Sequence, residues 1–357
     1  MDAAQFNHDK YEELWDASNL ELRKIHETDG LPEALRALKI QQFDQGFIQD
    51  DLKSVLVYQF PDLSDQLGIK KFSVQFNPKR AFRTGGAGRP IPPPGTTGVN
   101  GNCFLCKDNV RWQQRGIELG YDLVLKNSEK RSEYIAWMNP FPLMPIHATI
   151  AKKDHEPQSW IGRSIESILK DFLEITRQLP DFIGFYNGEG AGASIPHHFH
   201  FQFFERPRGK QLFSLELAAR QIPRASVRDY AGVLNYPITS IYCHGIEEFI
   251  VEKVITWLNN WTNIYKNNLA VSANIIATLD ENENGKFHLY FVPRNKFVSH
   301  AAGMVGMIGG LEVLGELVFS SDDEKKRLDS GGVSYESIAQ ILKAVEAPGV
   351  REFLRTI

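Results

Sequence analysis

Residues Asn187 to Glu205, NGEGAGASIPHHFHFQFFE, constrain what this chain can fold into more than any other stretch. A loop containing Gly188, Gly190 and Gly192 runs through Pro196 into a segment where His198, His200 and Gln202 alternate with Phe199, Phe201 and Phe203. Successive strand side chains point to opposite faces. The alternation therefore predicts a strand that buries three phenylalanines on one face and displays a His, His, Gln row on the other. A plain solvent face would include Ser, Thr, Lys or Glu, and this row has none. Glycines lacking a Cβ let backbone N–H groups approach an anion closely. A histidine row behind such a loop predicts a functional site. A half-buried strand that happens to carry imidazoles is the bland alternative.

A second feature lies upstream, at Cys103-Phe104-Leu105-Cys106. The chain has only three cysteines, two of them in this pair, which argues for a reducing compartment and a metal or redox use over a disulfide framework. Redox pairs open a helix after a strand, whereas this pair follows the loop 84–101, TGGAGRPIPPPGTTGVNG. Metal binding is the better reading, because two thiolates at this spacing form half of a tetrahedral site. The other half must come from far along the chain, where His147 and His155 precede the histidine row. The glycines and prolines of 84–101 forbid regular structure, so that loop is expected either to cover the site or to be disordered.

At 357 residues the chain has room for about two domains or one large duplicated one. Its composition, 42% hydrophobic and 24% charged, is that of a soluble globular protein. A net charge of -4 gives no general attraction to a nucleic acid polymer, so any nucleotide recognised is expected to be a small molecule. The N-terminus lacks the apolar core of a signal peptide and no apolar run reaches spanning length, which predicts a cytoplasmic protein with no membrane partner. Residues 1–70 read as helices, one starting at Leu31-Pro32-Glu33. Strands are expected at 72–76, 121–126, 133–138 and 147–151, a helix at 159–179 with one apolar stripe, and a short strand at 182–186. Beyond these come a helix at 247–261, a hairpin pairing 271–279 with 286–292, and a packing helix from Ser334. The order strand, strand, helix, strand, strand predicts an α+β fold with an antiparallel sheet.

The residues carry a resemblance. His198-Phe199-His200-Phe201-Gln202 resembles the H-x-H-x-Q signature of the transferase branch of the histidine triad superfamily, which includes galactose-1-phosphate uridylyltransferase, diadenosine tetraphosphate phosphorylase and the GDP-hexose phosphorylases. Gly192-Ala193-Ser194-Ile195-Pro196 is similar to the phosphorylases' loop, with His197 as one extra residue. Gln75-Phe76-Asn77-Pro78-Lys79-Arg80 resembles their nucleotide-contacting strand, which makes Asn77 and Arg80 candidates for base or phosphate contact. The segment Pro145 to His155 is similar to the strand and turn before the superfamily's long helix. In the uridylyltransferases the histidine after that strand completes a zinc site. The resemblance thus implies zinc on Cys103, Cys106, His155 and His198, with His147 as the rival ligand. His288-Leu289-Tyr290-Phe291-Val292-Pro293 resembles a degenerate second histidine segment, with Tyr290 in place of a metal-binding His. Gly309 to Gly315 is similar to a segment whose glutamate contacts sugar hydroxyls, marking Glu312; the alternative is a glutamate at a helix start.

The fold so implied is histidine-triad-like: a helical N-terminal extension at 1–70, a first half with the catalytic motif at 71–206, and a degenerate second half at 207–357. A homodimer is part of the same implication. The resemblance assigns the nucleophile to His200, rigid placement of its neighbour to metal-bound His198, and a phosphate contact to Gln202. Asn187, Gly192 and Ser194 would stabilise charge on the phosphates. Arg294 and Lys296, following the second-half strand, could neutralise a terminal phosphate, with solvated surface positions the better reading for each. The function implied is transfer of a nucleoside monophosphate group from a nucleoside diphosphate hexose or dinucleoside polyphosphate, through a nucleotidyl-histidine, to phosphate or a sugar 1-phosphate. The alternatives are a nucleotide hydrolase, which the untitratable Gln202 argues against, and a non-catalytic zinc-stabilised nucleotide-binding protein.

Overall fold

The computed structural model describes residues 10–48, 50–65, 70–83, 90–92, 94–113, 116–127, 130–207, 212–222, 229–265 and 270–357. Of the loop 84–101, residues 84–89 and 93 lie outside the described residues.

The chain opens with helices α1 (Tyr11–Asp29) and α2 (Leu31–Asp44), separated by Gly30 at φ 92°. Strands β1 (Leu56–Pro61) and β2 (Lys71–Phe76) then pair antiparallel. The helical reading of 1–70 therefore holds for α1 and α2 and fails at 56–61. LVYQF offers no helical apolar stripe, and β2 supplies the backbone partners that a lone segment lacks. A short α3 (Lys107–Val110) leads to β3 (Tyr121–Asn127), β4 (Lys130–Met138) and β5 (His147–Lys152). Helix α4 (Ile165–Gln178), β6 (Phe182–Asn187) and β7 (His200–Glu205) follow. The next elements are α5 (Ser214–Arg220), β8 (Tyr230–Val233), β9 (Ile241–Ile246), α6 (Glu247–Ile264), β10 (Val271–Leu279) and β11 (Lys286–Asn295). The last are α7 (Gly310–Leu314), β12 (Glu316–Phe319), α8 (Asp322–Asp329), α9 (Tyr335–Ala344) and α10 (Val350–Phe353).

Among the described residues, nine strands form one antiparallel sheet in the order β3-β4-β5-β7-β6-β10-β11-β9-β8. A smaller sheet has the order β1-β2-β12, with β2 and β12 parallel. The architecture is α+β, with a large antiparallel sheet and a small mixed one. The described residues contain no helix long and apolar enough to cross a membrane.

Register decides which residues meet. Ala151 pairs with His200, Thr149 and Phe185 flank Gln202, His147 pairs with Phe204, and Asn274 pairs with Asn187. Directly paired residues share a face. His147, Asn187, His200, Gln202 and Asn274 therefore occupy one face of the large sheet. The other face carries Phe199, Phe201 and Phe203, all fully buried. Phe201 stacks on Phe172 of α4 at 4.9 Å between ring centroids, and Phe203 lies 5.7 Å from the same ring. The α4 stripe continues through Ile168, Leu169, Leu173 and Ile175. This helix begins at Ile165, six residues later than the periodicity predicts. Gly162 at φ 74° breaks the helical path, and the Ser164 hydroxyl accepts from Ser167 N as an N-cap. Ile161 is consequently left exposed.

Because Phe201 is filled on both sides by aromatic neighbours, Phe201→Ala is expected to lower the unfolding free energy by about 3–5 kcal/mol. A fall in the urea midpoint at unchanged slope reads this out. Leu20→Ala, at a side chain 72% exposed, should leave the midpoint nearly unmoved.

Candidate active site

His200 opens β7 and is almost fully buried. Its Nδ1 lies 2.8 Å from the carbonyl oxygen of His198. A carbonyl only accepts, so Nδ1 holds a proton, and in the neutral ring the lone pair sits on Nε2. The backbone around this residue is held by a side chain the motif reading missed. The β6·β7 pairing ends at Phe185 and Gln202, and beyond it the carboxamide of Gln158 enters. Its Oε1 accepts from His200 N at 2.7 Å, while its Nε2 donates to His200 O at 2.8 Å and to Asn187 O at 2.9 Å. One buried side chain thus satisfies three backbone atoms where the strands part. A single Gln before a helix has no period or spacing, so the sequence carried no signal for it.

Gln202 is oriented from β5. Leu143 N donates to His147 Nδ1 at 3.2 Å, which places the ring proton on Nε2. That Nε2–H donates to Gln202 Oε1 at 3.3 Å, so the Gln202 amide nitrogen is the end left to donate. His147, the rival metal ligand in the sequence, sits here and away from the cysteines.

Gln202 and His147 border a cleft of about 500 Å³ whose wall also includes Arg80, Asn187, Met307 and Glu312, while His200 is not among the residues that line it. Gly192 and Ser194 also line it. Gly192 sits at φ 105°, and a Cβ there would fall 2.5 Å from Gly309 Cα; one on Gly190 would fall 2.1 Å from Lys296 O. The glycine loop is therefore pressed against the segment 296–309, a close approach that only glycine permits. Glu312 accepts from Gly309 N at 2.9 Å, which caps the start of α7 while the residue also faces the cleft. Glu312 is thus a helix-start glutamate that also lies on the cleft wall. Asn77 is not brought to the cleft wall: it is fully buried, with Nδ2 donating to Pro142 O at 3.3 Å. Arg80 donates to Phe141 O and does line the cleft.

Arg294 is not a surface residue. Register pairs it with Ser272 and turns it onto the site face, where it is completely buried. Burial pulls its guanidinium down to about 10, opposed by the field of Glu312. Lys296 lies 3.4 Å from Glu189.

Cys103, Cys106, His155 and His198 converge, with every pair of donor atoms within 4.8 Å. Cys103 Sγ is 3.3 Å from His198 Nδ1, Cys106 Sγ is 3.6 Å from the same atom, and Cys106 Sγ is 3.3 Å from His155 Nδ1. Edges of this length suit a tetrahedron with arms of about 2.0–2.3 Å. His198 Nε2 lies 2.7 Å from Lys152 O, so Nε2 carries the proton and Nδ1 directs its lone pair at the sulfurs. The contact with Cys103 holds the Cys106 thiol down, to about 3, and the same contact, with burial second, pushes Cys103 up. The donor set therefore fits a Cys₂His₂ ion. Its apolar surroundings include Tyr11 and Trp15 of α1. A second group, His244, Asp280 and His288, is joined more simply: Asp280 Oδ2 lies 2.7 Å from His244 Nε2 and 3.3 Å from His288 Nε2. Tyr290 beside it is buried.

An α+β chain with a histidine row on one face of a nine-stranded antiparallel sheet, closed by a glycine loop, is thus the class the fold and the site define. Residues 48–205 match a family model described as a domain of unknown function, DUF4922. No curated protein matches the sequence. Among solved structures, yeast Ap4A phosphorylase in complex with Ap4A aligns with a TM-score of 0.59 at 13% identity, covering 88% of this chain and 97% of that one. The same yeast enzyme in complex with AMP aligns at 0.55 and 14% identity, over 87% of this chain and 94% of that one. This chain has the fold of that enzyme.

Gln158→Ala would strip partners from three buried backbone atoms, which costs about 1–3 kcal/mol for each one that water cannot reach. A total loss of about 3 kcal/mol in urea unfolding is expected, with the far-ultraviolet circular dichroism retained.

Proposed function

We propose that the chain is a nucleotidyltransferase of the phosphorylase type. The observation that carries the reading is the tautomer of His200: Nδ1 is tied to the His198 carbonyl, which puts the ring's lone pair on Nε2, on the same sheet face as two amide donors. His200 Nε2 attacks the α-phosphorus of a nucleoside diphosphate hexose or dinucleoside polyphosphate. The N–P bond forms as the P–O bond to the leaving phosphate breaks, and the leaving group departs on that oxygen. An oxygen of orthophosphate or of a sugar 1-phosphate then attacks the same phosphorus. The N–P bond breaks and Nε2 recovers its lone pair, with the Nδ1 proton in place throughout.

Gln202, donating through Nε2, contacts a non-bridging oxygen and cannot titrate, which favours phosphate over water as the acceptor and weighs against the hydrolase reading. Asn187, Gly192 and Ser194 with Arg80 hold the phosphates. Glu312 accepts from a sugar hydroxyl. Asn77 acts indirectly, through the turn at Pro142 that carries Phe141, the partner of Arg80. A zinc ion on Cys103, Cys106, His155 and His198 would supply a structural cross-link. The protein's part there is to keep His198, and so the carbonyl that orients His200, in one place.

The strand order supports two related halves. β4-β5-β7-β6 in the first is matched by β8-β9-β11-β10 in the second, with α4 and α6 in equivalent connections. The domain reading is thus a first half at 71–206, a second at 207–357 and an N-terminal extension at 1–70. Likeness in fold to structures holding Ap4A and AMP supports a small nucleotide partner. The uncombined thiols accord with a reducing, cytoplasmic setting, and a homodimer remains part of the proposal.

Two outcomes are expected. Incubation with labelled nucleoside diphosphate sugars and dinucleoside polyphosphates, without acceptor, yields an acid-labile, alkali-stable adduct that is absent in His200→Ala; no adduct from any donor would sink the transferase reading. The purified chain carries one zinc by elemental analysis, and Cys106→Ser lowers both the zinc content and the melting temperature. Full zinc retention in that variant would remove Cys106 from the ligand set.

A further inference from the structure

Asn187 ends β6 beside the cleft, and the end of its amide that faces a ligand decides what it can bind. Its neighbours fix this. Asn187 Oδ1 accepts from Asn274 Nδ2 at 2.7 Å and from Gly310 N at 3.1 Å. Asn274 Nδ2 also donates to Ala191 O at 2.6 Å, inside the glycine loop. The orientation of Asn274 is set in turn by Arg294, whose Nη1 donates to Asn274 Oδ1 at 2.7 Å and to Ile308 O at 3.0 Å. A guanidinium has donors only. Polarity therefore runs one way, from Arg294 through Asn274 to Asn187, and leaves Asn187 Nδ2 with no acceptor among the described residues. The residue beside that nitrogen is Gly192, where a Cβ would stand 3.4 Å away. Asn187 and Gly192 both line the cleft.

The arrangement is unfavourable for stability alone. Arg294 is wholly buried, and its Nε and Nη2 have no hydrogen-bond partner among the described residues. A well-packed apolar side chain would avoid the desolvation of a half-satisfied cation.

We infer that Arg294 and Asn274 are positioning residues that hold the Asn187 amide as a donor toward an acceptor-only group of the ligand, a phosphate oxygen of the nucleotide. This rests on the nucleotidyl-transfer reading and adds to it a role for the second half of the chain, which lies outside the catalytic motif. The guanidinium works at a distance. It never touches the ligand.

The test is calorimetric titration with AMP, GMP and UMP, with a thermal melt for each variant. Asn187→Ala should weaken binding of the preferred nucleotide roughly tenfold or more, as expected for losing a donor to a charged acceptor. Asn187→Asp keeps the acceptor for Asn274 and Gly310, and so folds, but turns a carboxylate oxygen toward the phosphate; it should bind more weakly still. Asn274→Asp keeps the Arg294 contact and loses both donors, so it should match Asn187→Ala. The double variant Asn187→Ala with Asn274→Asp should bind no worse than Asn187→Ala alone. Wild-type affinity in Asn187→Asp would mean that Oδ1 faces the ligand, which overturns the inference. So would an undiminished effect of Asn274→Asp in the Asn187→Ala background, the mark of a merely structural residue. Should Asn274→Asp fail to fold, Asn187→Asp decides alone. Failure of the wild type to bind any of the three nucleotides would bring down the nucleotidyl reading and the inference with it, an outcome distinct from any variant result.

Discussion

The register of β7 is the constraint on which the rest of this structure depends. Strand side chains alternate with a period of two, so a slip of one residue would exchange the faces completely. Burying Phe199, Phe201 and Phe203 among aromatic rings fixes that register from the apolar side. The polar row is then displayed without choice on the other side. Packing energy on one face is in this sense what aims His200 and Gln202 on the opposite face.

Aim in angle requires more than register. At the point where β6 and β7 part, the ladder bonds that would hold His200 are missing, and Gln158 replaces them from outside the sheet. The parting matters chemically, since it lets the strand end turn into the loop that reaches the cysteine cluster. His198 stands at this junction. One ring atom is directed at Cys103 and Cys106, and its carbonyl fixes the tautomer of His200. The packing of α1 against the same cluster ties the N-terminal helix to the junction as well.

Gln202 and Asn187 both border the cleft, and in each the oxygen already accepts a hydrogen bond. His147 occupies Gln202 Oε1, and Asn274 with Gly310 occupies Asn187 Oδ1. Each amide is thereby turned into a donor, by partners whose own hydrogens are fixed by a backbone N–H or by a guanidinium. A wall that offers donors suits a group that can only accept, such as a phosphate. The polarity is written into side chains far from one another in sequence.

Much of this was legible in the linear chain because it depends on period and local chemistry. The alternation of residues 198–203 gave the faces of β7, the glycines gave a close-approach loop, and the spacing of Cys103 and Cys106 marked half of a four-residue cluster whose histidines, His155 and His198, came from the family resemblance. Leu56–Pro61 was not legible, because a strand there exists only through its pairing with β2. Nor was the burial of Arg294, which reads as a charged residue after a hydrophobic run until the register with Ser272 turns it inward. Gln158 and Asn274 carry no pattern at all. What the sequence determined by itself is what repeats or clusters along the chain, since neighbouring residues share a local geometry. The tertiary structure alone decided the tautomers and amide orientations, since each hydrogen-bond partner comes from another strand or loop, tens of residues away.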